Sequence, residues 1–475
     1  MMSKIAALFA LPLLLAVAPR AVAASANPEL LVLTSSWVGF TSILIFVLAY
    51  ALVVAEEFTH LRKSKPVILA AGIIWALIGL VYAQQGIEHT VEEAVREFLV
   101  EFAELFLFLL AAMTYVNSMS ERRIFEGLRS VLVSKGFGYR KLFWITGFVS
   151  FFLSPMIDNL TTALVMCAVV MAVGKNNTRF ISTACINIVI AANAGGAFSP
   201  FGDITTLMVW QSGLVNFTTF FALFIPSLVN FLIPAAIMQF AVSSEVPEIS
   251  QEAVRVKRGA GAIVFLFGCT ILTAVCFHNF LHLPPFLGMM TGLGALKLYG
   301  YYLKVTHKPH PNDSEEYGQV GDVTAFDSFR QVARAEWDTL LFFFGVIMCV
   351  GGLGFIGYLG MASEWLYLGL GPTLANSLVG VLSAVVDNIP VMVAVLQMNP
   401  VMDLQQWLLI TLTAGVGGSM LSIGSAAGVA LMGQARGKYT FFGHLKWTPV
   451  IAAGYVASIL VHLWLNSNFN GVMPN

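Results

Sequence analysis

The sequence predicts an all-α polytopic membrane protein built from inverted-topology repeats, each with a re-entrant hairpin and a broken transmembrane helix. Three observations predict it. Of the 475 residues, 58% are hydrophobic and 11% charged, against about 25% charged in a soluble domain; mean hydropathy is +0.81. Apolar runs approach ~20 residues, the length of a spanning helix, rather than alternating over the ~10 of a barrel strand. Finally, two short segments resemble each other, and each carries an acid in apolar surroundings: Ser154-Pro155-Met156-Ile157-Asp158-Asn159-Leu160-Thr161-Thr162 and Ser383-Ala384-Val385-Val386-Asp387-Asn388-Ile389-Pro390. Each is followed by a glycine-rich break, Asn193-Ala194-Gly195-Gly196 through Gly202-Asp203 and Gly415-Val416-Gly417-Gly418 through Gly424-Ser425. Paired broken helices in the two halves of an apolar chain point to an ion or substrate site. A carboxylate at that depth is costly and therefore a functional candidate.

In chain order, residues 1–24 read as a secretory signal peptide: Lys4 precedes the apolar run Ile5 to Ala18, and Ala21-Val22-Ala23 is a small-x-small cleavage pattern. Arg20 departs from a clean signal, and an uncleaved anchor is the alternative. Residues 25–97 then form N-terminal transmembrane helices and 98–241 the first repeat. Connecting helices and a cytoplasmic loop occupy 242–337, and the second repeat occupies 338–475. Spans are expected at 36–55, 66–83, 98–117, 219–241, 259–281, 283–303, 340–361 and 447–465. Gly351-Gly352-Leu353-Gly354 lies within one of them and reads as close helix packing. Glu101 to Met113 lines up with Glu336 to Met348, Asp158 with Asp387, Gly195-Gly196 with Gly417-Gly418, and Gly202 with Gly424. Cys167, Cys185, Cys269, Cys276 and Cys349 all lie in apolar runs, without metal or disulfide spacing.

Basic residues are uneven between spans. Arg62, Lys63 and Lys65, the set from Arg122 to Lys141, Lys175 and Arg179 fall on one side. So do Arg255 to Arg258, Lys304 to Arg334, and Arg436 to Lys446, whereas Arg96 is alone on the other. By the positive-inside rule the rich side is cytoplasmic. This distribution holds only if 142–174 enters from the cytoplasm, turns near Asp158 and returns to Lys175. Arms of about 13–15 residues, roughly 20 Å of helix, reach mid-bilayer and no further. The 374–400 segment enters from outside by the same logic, bringing Asp158 and Asp387 together at mid-depth.

The polar residues expected there are Asp158, Asn159, Thr161 and Thr162 at the first tip, with Asn193, Ser199, Asp203, Thr205 and Thr206 at the first break. Ser383, Asp387 and Asn388 belong to the second tip, and Ser422 and Ser425 to the second break. Hard oxygen ligands without Cys or His clusters suit a hard cation. Protons compete for the same carboxylates, and competition at one site suffices for antiport. The alternative is that these groups only tie helices together, which amides and hydroxyls do more cheaply than acids. Glu104, Glu336 and Asp338, near span ends, are secondary candidates. Glu88, Glu92, Glu93 and Glu97 read as a solvated outer loop; His89, His278, His282 and His462 fall near the outer membrane surface and His60, His307, His310 and His444 near the inner one, none with a special role. No nucleotide motif appears, so energy comes from ion gradients. No nucleophile–base pair or HExxH pattern supports an intramembrane enzyme, and nothing indicates nucleic acid.

The stretch Ala191-Ala192-Asn193-Ala194-Gly195-Gly196-Ala197-Phe198-Ser199-Pro200-Phe201-Gly202-Asp203-Ile204-Thr205-Thr206, followed by Met208-Val209-Trp210-Gln211, resembles the NhaD-type sodium/proton antiporters of the ion transporter superfamily. Arsenite-type relatives share the Asp-Asn tips but carry Gly-Asp-Pro-Pro-Asn where this chain has Gly-Asp-Ile-Thr-Thr. Dicarboxylate transporters carry Ser-Asn-Thr at both tips, where Asp158 and Asp387 should repel an anion. The resemblance implies extrusion of Na+ and Li+ against H+ entry in a bacterial inner membrane, serving pH homeostasis and salt tolerance, with no cofactor. It also implies a scaffold and a moving transport domain, an elevator-like movement, lipid as surroundings, and a homodimer. An anion or metalloid transporter, for arsenite or dicarboxylate, is the alternative. Ser425 replaces the acid at the Asp203 position, so one full and one partial cation cage are expected.

Overall fold

The computed structural model describes residues 31–59, 61–175, 177–246, 256–306 and 328–474, and their regular elements are all helical. The leader expected at 1–24, most of the polar loop before Trp337, and His60, His307 and His310 lie outside the described residues. Among the described residues, seven helices are long and apolar enough to cross a membrane: Trp37–Val54, Ser64–Gln85, Glu88–Glu121, Phe217–Ala241, Ala260–Leu281, Trp337–Phe355 and Thr448–Leu465. The run expected at 283–303 is also one continuous helix, Pro285–Val305, in which Gly288, Gly292, Gly294, Gly300, Lys297 and Lys304 lower the hydropathy. The span expected at 340–361 is shorter. Its helix stops at Phe355, because Gly357 takes a left-handed φ of 104° and redirects the chain into Tyr358–Ser363.

The chain divides into two compact units. One holds the described residues up to Phe102, Tyr139–Glu245, and those from Asp338 onward; the other holds Ala103–Gly138 and the described part of Val246–Trp337. In the second unit, Ala260–Leu281 packs on Pro285–Val305. Gly288 and Gly292 admit Ala274 and Thr270. The buried Tyr115 hydroxyl is satisfied there, donating to Gly292 O at 2.7 Å and accepting from Thr270 Oγ1 at 2.8 Å.

In the first unit, Ser64–Gln85 is fastened to Trp337–Phe355. Trp75 Nε1 donates to Met348 O at 2.8 Å, and Ala70, Ile74, Ile78 and Tyr82 pack against Cys349, Leu353 and Ile356. Gly345 and Gly352 admit Val67 and Ile74, so small residues set the close approach, as the Gly351–Gly354 pattern suggests. Trp337–Phe355 is the most buried of the seven, at 67% against 22% for Trp37–Val54, and so forms the interior of this frame.

The two similar segments fold alike locally. Tyr139–Ile157 and Asn159–Gly174 join at Asp158 and pack together and on Thr178–Gly196. Pro372–Leu382 and Asn388–Met398 are followed by Leu404–Gly417, on which Pro372–Leu382 packs closely. Both long helices then break, and the chain resumes as Ile204–Gln211 and Ala426–Gln434. Matching positions make matching contacts. Ser154 Oγ donates to Ala192 O at 2.7 Å, and Ser383 Oγ to Ala414 O at 2.9 Å. A Cβ on Gly195 would collide with the Phe151 carbonyl, and one on Gly417 with the Gly380 carbonyl. Packing between the halves is reciprocal: Ile204–Gln211 touches Asn388–Met398, Ala426–Gln434 touches Asn159–Gly174, and the broken helices touch each other. The arms of the first pair have 19 and 16 residues, longer than the 13–15 expected, whereas those of the second have 11 each.

Candidate functional site

Asp203 is the centre of the constellation. It caps Ile204–Gln211, where Oδ1 accepts from the Thr205 N–H at 3.2 Å. Its other oxygen accepts two carboxamide donors, Asn159 Nδ2 at 3.1 Å and Asn388 Nδ2 at 2.9 Å. Asn159 Nδ2 also reaches Asn193 Oδ1 at 3.1 Å. All four side chains are buried. One carboxylate oxygen thus joins both tips, and Asn193 of the first broken helix is linked through Asn159. The tips meet through their asparagines, Asn159 and Asn388, where the sequence had suggested the acids.

The second half lacks this charge. Ser425 repeats the backbone of Asp203 closely (φ/ψ of −144/150° against −143/147°), and its Oγ accepts from Gly428 N at 3.3 Å. Asn193 has Gly415 as its counterpart. A Cβ on Gly415 would stand 3.9 Å from Asp203 Oδ2, so the glycine leaves room beside the carboxylate.

The remaining candidates divide between holding the backbone and facing the interior. Asp158 caps Asn159–Gly174 with a left-handed φ of 71°, and its oxygens accept from Thr161 N at 2.7 Å and Thr161 Oγ1 at 2.9 Å. A non-glycine residue held at positive φ marks a tightly determined turn. Thr206 Oγ1 donates to Ser199 O at 2.8 Å and Asp203 O at 2.6 Å, closing the first break, and Ser199 Oγ donates to Pro155 O at 3.1 Å. Ser422 is buried in the second break. Thr162 Oγ1, Asn193 Nδ2 and Asp387 Oδ1 are buried without a hydrogen-bond partner among the described residues, although buried polar atoms are normally paired. Glu104 and Glu336 belong to the other unit, and Asp338 accepts from Ser64 Oγ. His444 and His462 are buried within the protein. His444 bonds the Tyr439 hydroxyl at 2.7 Å and Ser419 O at 2.9 Å, and His462 bonds Gln405 O at 3.0 Å.

Sequence reasoning missed Lys63. It was counted among loop cations, yet its Nζ stands 3.7 Å from Asp387 Oδ2. Only its place directly before the Ser64–Gln85 span hinted at a role. Asp387 directly precedes Asn388, whose carboxamide reaches Asp203. Among the described residues, no group of three or more His, Cys, Asp and Glu side chains converges as a metal site would. The donor set is carboxylate, carboxamide and hydroxyl oxygen, which suits a hard cation. Each carboxamide offers donors or, after a half-turn, its oxygen.

The seven apolar spans among the described residues, together with two broken helices and a buried carboxylate, define the class: a polytopic membrane transporter. Residues 1–415 match the citrate transporter family, CitMHS. The chain is 62% identical to the Na+/H+ antiporter NhaD of Alkalimonas amylolytica, over 94% of each sequence. It is 58% identical to the Na+/H+ antiporter NhaD of Vibrio cholerae over 94% of this chain and 96% of that one. Sodium/proton antiporter 1 of Arabidopsis thaliana is 34% identical over 93% of this chain and 76% of its own length. The chain belongs to the family that the citrate-transporter description covers and, within it, to the NhaD group.

Proposed function

We propose that this chain exchanges cytoplasmic Na+ and Li+ for external H+ across a bacterial inner membrane, at a site centred on Asp203. It is a transporter, not an enzyme. The antiporter relatives support the reaction, and one observation carries its location: a single buried carboxylate oxygen holds an asparagine from each tip. Asp203 either takes a proton or stays ionised and takes the cation. With the cation, the carboxamides of Asn159, Asn388 and Asn193 turn oxygen inward, and Thr162 and Thr205 supply hydroxyls. Because one carboxylate serves both ions, binding of either expels the other, which makes the step an exchange. Asp387 adds a second negative charge beside it. Asp158, Thr161, Thr206, Ser383, Ser422 and Ser425 shape the tips and breaks. The side-chain difference between Asp203 and Ser425, and between Asn193 and Gly415, favours one full site in the first half.

The matching contacts of the two halves support an inverted-topology repeat, with a re-entrant hairpin in each and tips entering from opposite faces. The ions need no cofactor, lipid surrounds the spans, and a homodimer completes the proposal. A dicarboxylate or arsenite substrate is not favoured, because the acids at the tips and the buried acid at the break repel anions. Everted vesicles carrying the protein and a pH-sensitive dye test the reading. Dequenching on NaCl or LiCl, with none on succinate or arsenite, is expected. A response to succinate or arsenite alone would replace it.

A further inference from the structure

Lys63 begins the helix Ser64–Gln85, yet its side chain is only 18% exposed and is aimed at the second tip. Its ammonium lies 3.7 Å from Asp387 Oδ2, on a carboxylate 17% exposed, and 4.5 Å over the Phe342 ring. The position is fixed from behind. The next residue, Ser64, donates to Asp338, Cys349 Sγ meets Val67 O at 3.4 Å, and Trp75 holds Met348 O. Lys63 and Phe342 therefore belong to one fastened helix pair, while Asp387 belongs to the tip that also delivers Asn388 to Asp203. Of the titratable groups nearby, Glu56 interacts electrostatically with Lys63, and Tyr50 and Asp203 with Asp387; Arg62 and Asp338 act on Glu56 in turn. Asp387 Oδ1 has no hydrogen-bond partner among the described residues, and the ammonium of Lys63 stands beside Oδ2.

A buried carboxylate needs such a charge, and breaking the pair without replacing it is costly. An ammonium is a compact monovalent point charge, as a sodium ion is. Resting on the exchange reading above, we propose that Lys63 is a tethered competitor for the transported cation. It neutralises Asp387 while the site holds no sodium, yields the carboxylate when sodium binds, and returns to expel it. A competitor built into the protein raises the sodium concentration needed for half-saturation and speeds release.

The test is sodium-dependent exchange in everted vesicles at fixed pH, for Lys63→Met and Lys63→Arg, normalised to protein in the membrane. Lys63→Met should lower KM for sodium about fivefold, equivalent to about 1 kcal/mol, while also lowering kcat. Lys63→Arg, which keeps the charge, should stay near wild type in KM. A merely structural lysine would lower kcat with KM unchanged, and that result, or a raised KM, overturns the proposal. If Lys63→Met fails to insert, Lys63→Gln keeps a polar side chain without the charge and must show the same split. Absence of sodium exchange in the wild type would instead refute the exchange reading itself.

Discussion

Removing the Asn388 carboxamide is the most informative single change at the site. Its Nδ2 donates to Asp203 Oδ2 at 2.9 Å, with both side chains buried. A hydrogen bond to a charged group contributes about 1.5–3 kcal/mol. Asn388→Ala removes that support from the ionised carboxylate and also removes an oxygen ligand for the cation. Both losses disfavour sodium, so half-saturating sodium should rise about tenfold or more at fixed pH. Asn159→Ala breaks bonds to Asp203 and to Asn193, and should cost at least as much. Because both amides act on one oxygen, the double variant should fall short of the summed effects. Everted vesicles titrated with NaCl give the half-saturation directly. Wild-type half-saturation in both single variants would refute the reasoning, since neither amide would then serve the ion.

Two neighbouring glycines should behave differently. Gly415→Ala meets its neighbours only at ordinary contact distances, 3.5 Å and beyond, so it should insert normally yet weaken sodium exchange by crowding Asp203 Oδ2. Gly417→Ala strikes the Gly380 carbonyl and should lose folded protein, read as monodisperse yield. Half-saturating sodium should fall as pH rises, because deprotonation frees the shared carboxylate for the cation; a sodium affinity independent of pH would point to separate sites. Cysteines at the exposed positions Arg179 and Val401, in a background lacking the five native cysteines, should react with an impermeant maleimide from opposite membrane faces. Asn177 and Asp403 are less suitable there, since each caps a helix through its side chain. Labelling of both from one face would break the inverted arrangement.

The spans were legible because an apolar run of ~20 residues has few other fates. The likeness of the two short segments was legible because their landmarks are chemically unusual: an acid and an asparagine at a turn, then paired glycines. Those positions make matching contacts, Ser154 with Ser383 and Gly195 with Gly417. Asp203 was visible as an acid in a break, but its sharing between two asparagines was not, because Asn388 reaches it across 185 residues. Periodicity carries no trace of such a pairing. The same holds for Lys63 and Asp387, whose attraction depends on how separate helices stack. Local geometry hid other details. The helix cap that Asp158 provides was not visible in its sequence, and the backbone of Gly357 ends a span that composition alone would continue.

The most direct test of the central claim, that one carboxylate at Asp203 exchanges a proton for sodium, is proton release on sodium binding. Purified protein in weakly buffered detergent solution is given NaCl, with choline chloride as the control, and the pH change is read. The wild type should release protons in proportion to the sodium bound, and Asp203→Asn should release none beyond the control while remaining folded. Release from Asp203→Asn equal to that of the wild type would contradict the account and place the coupling at another acid.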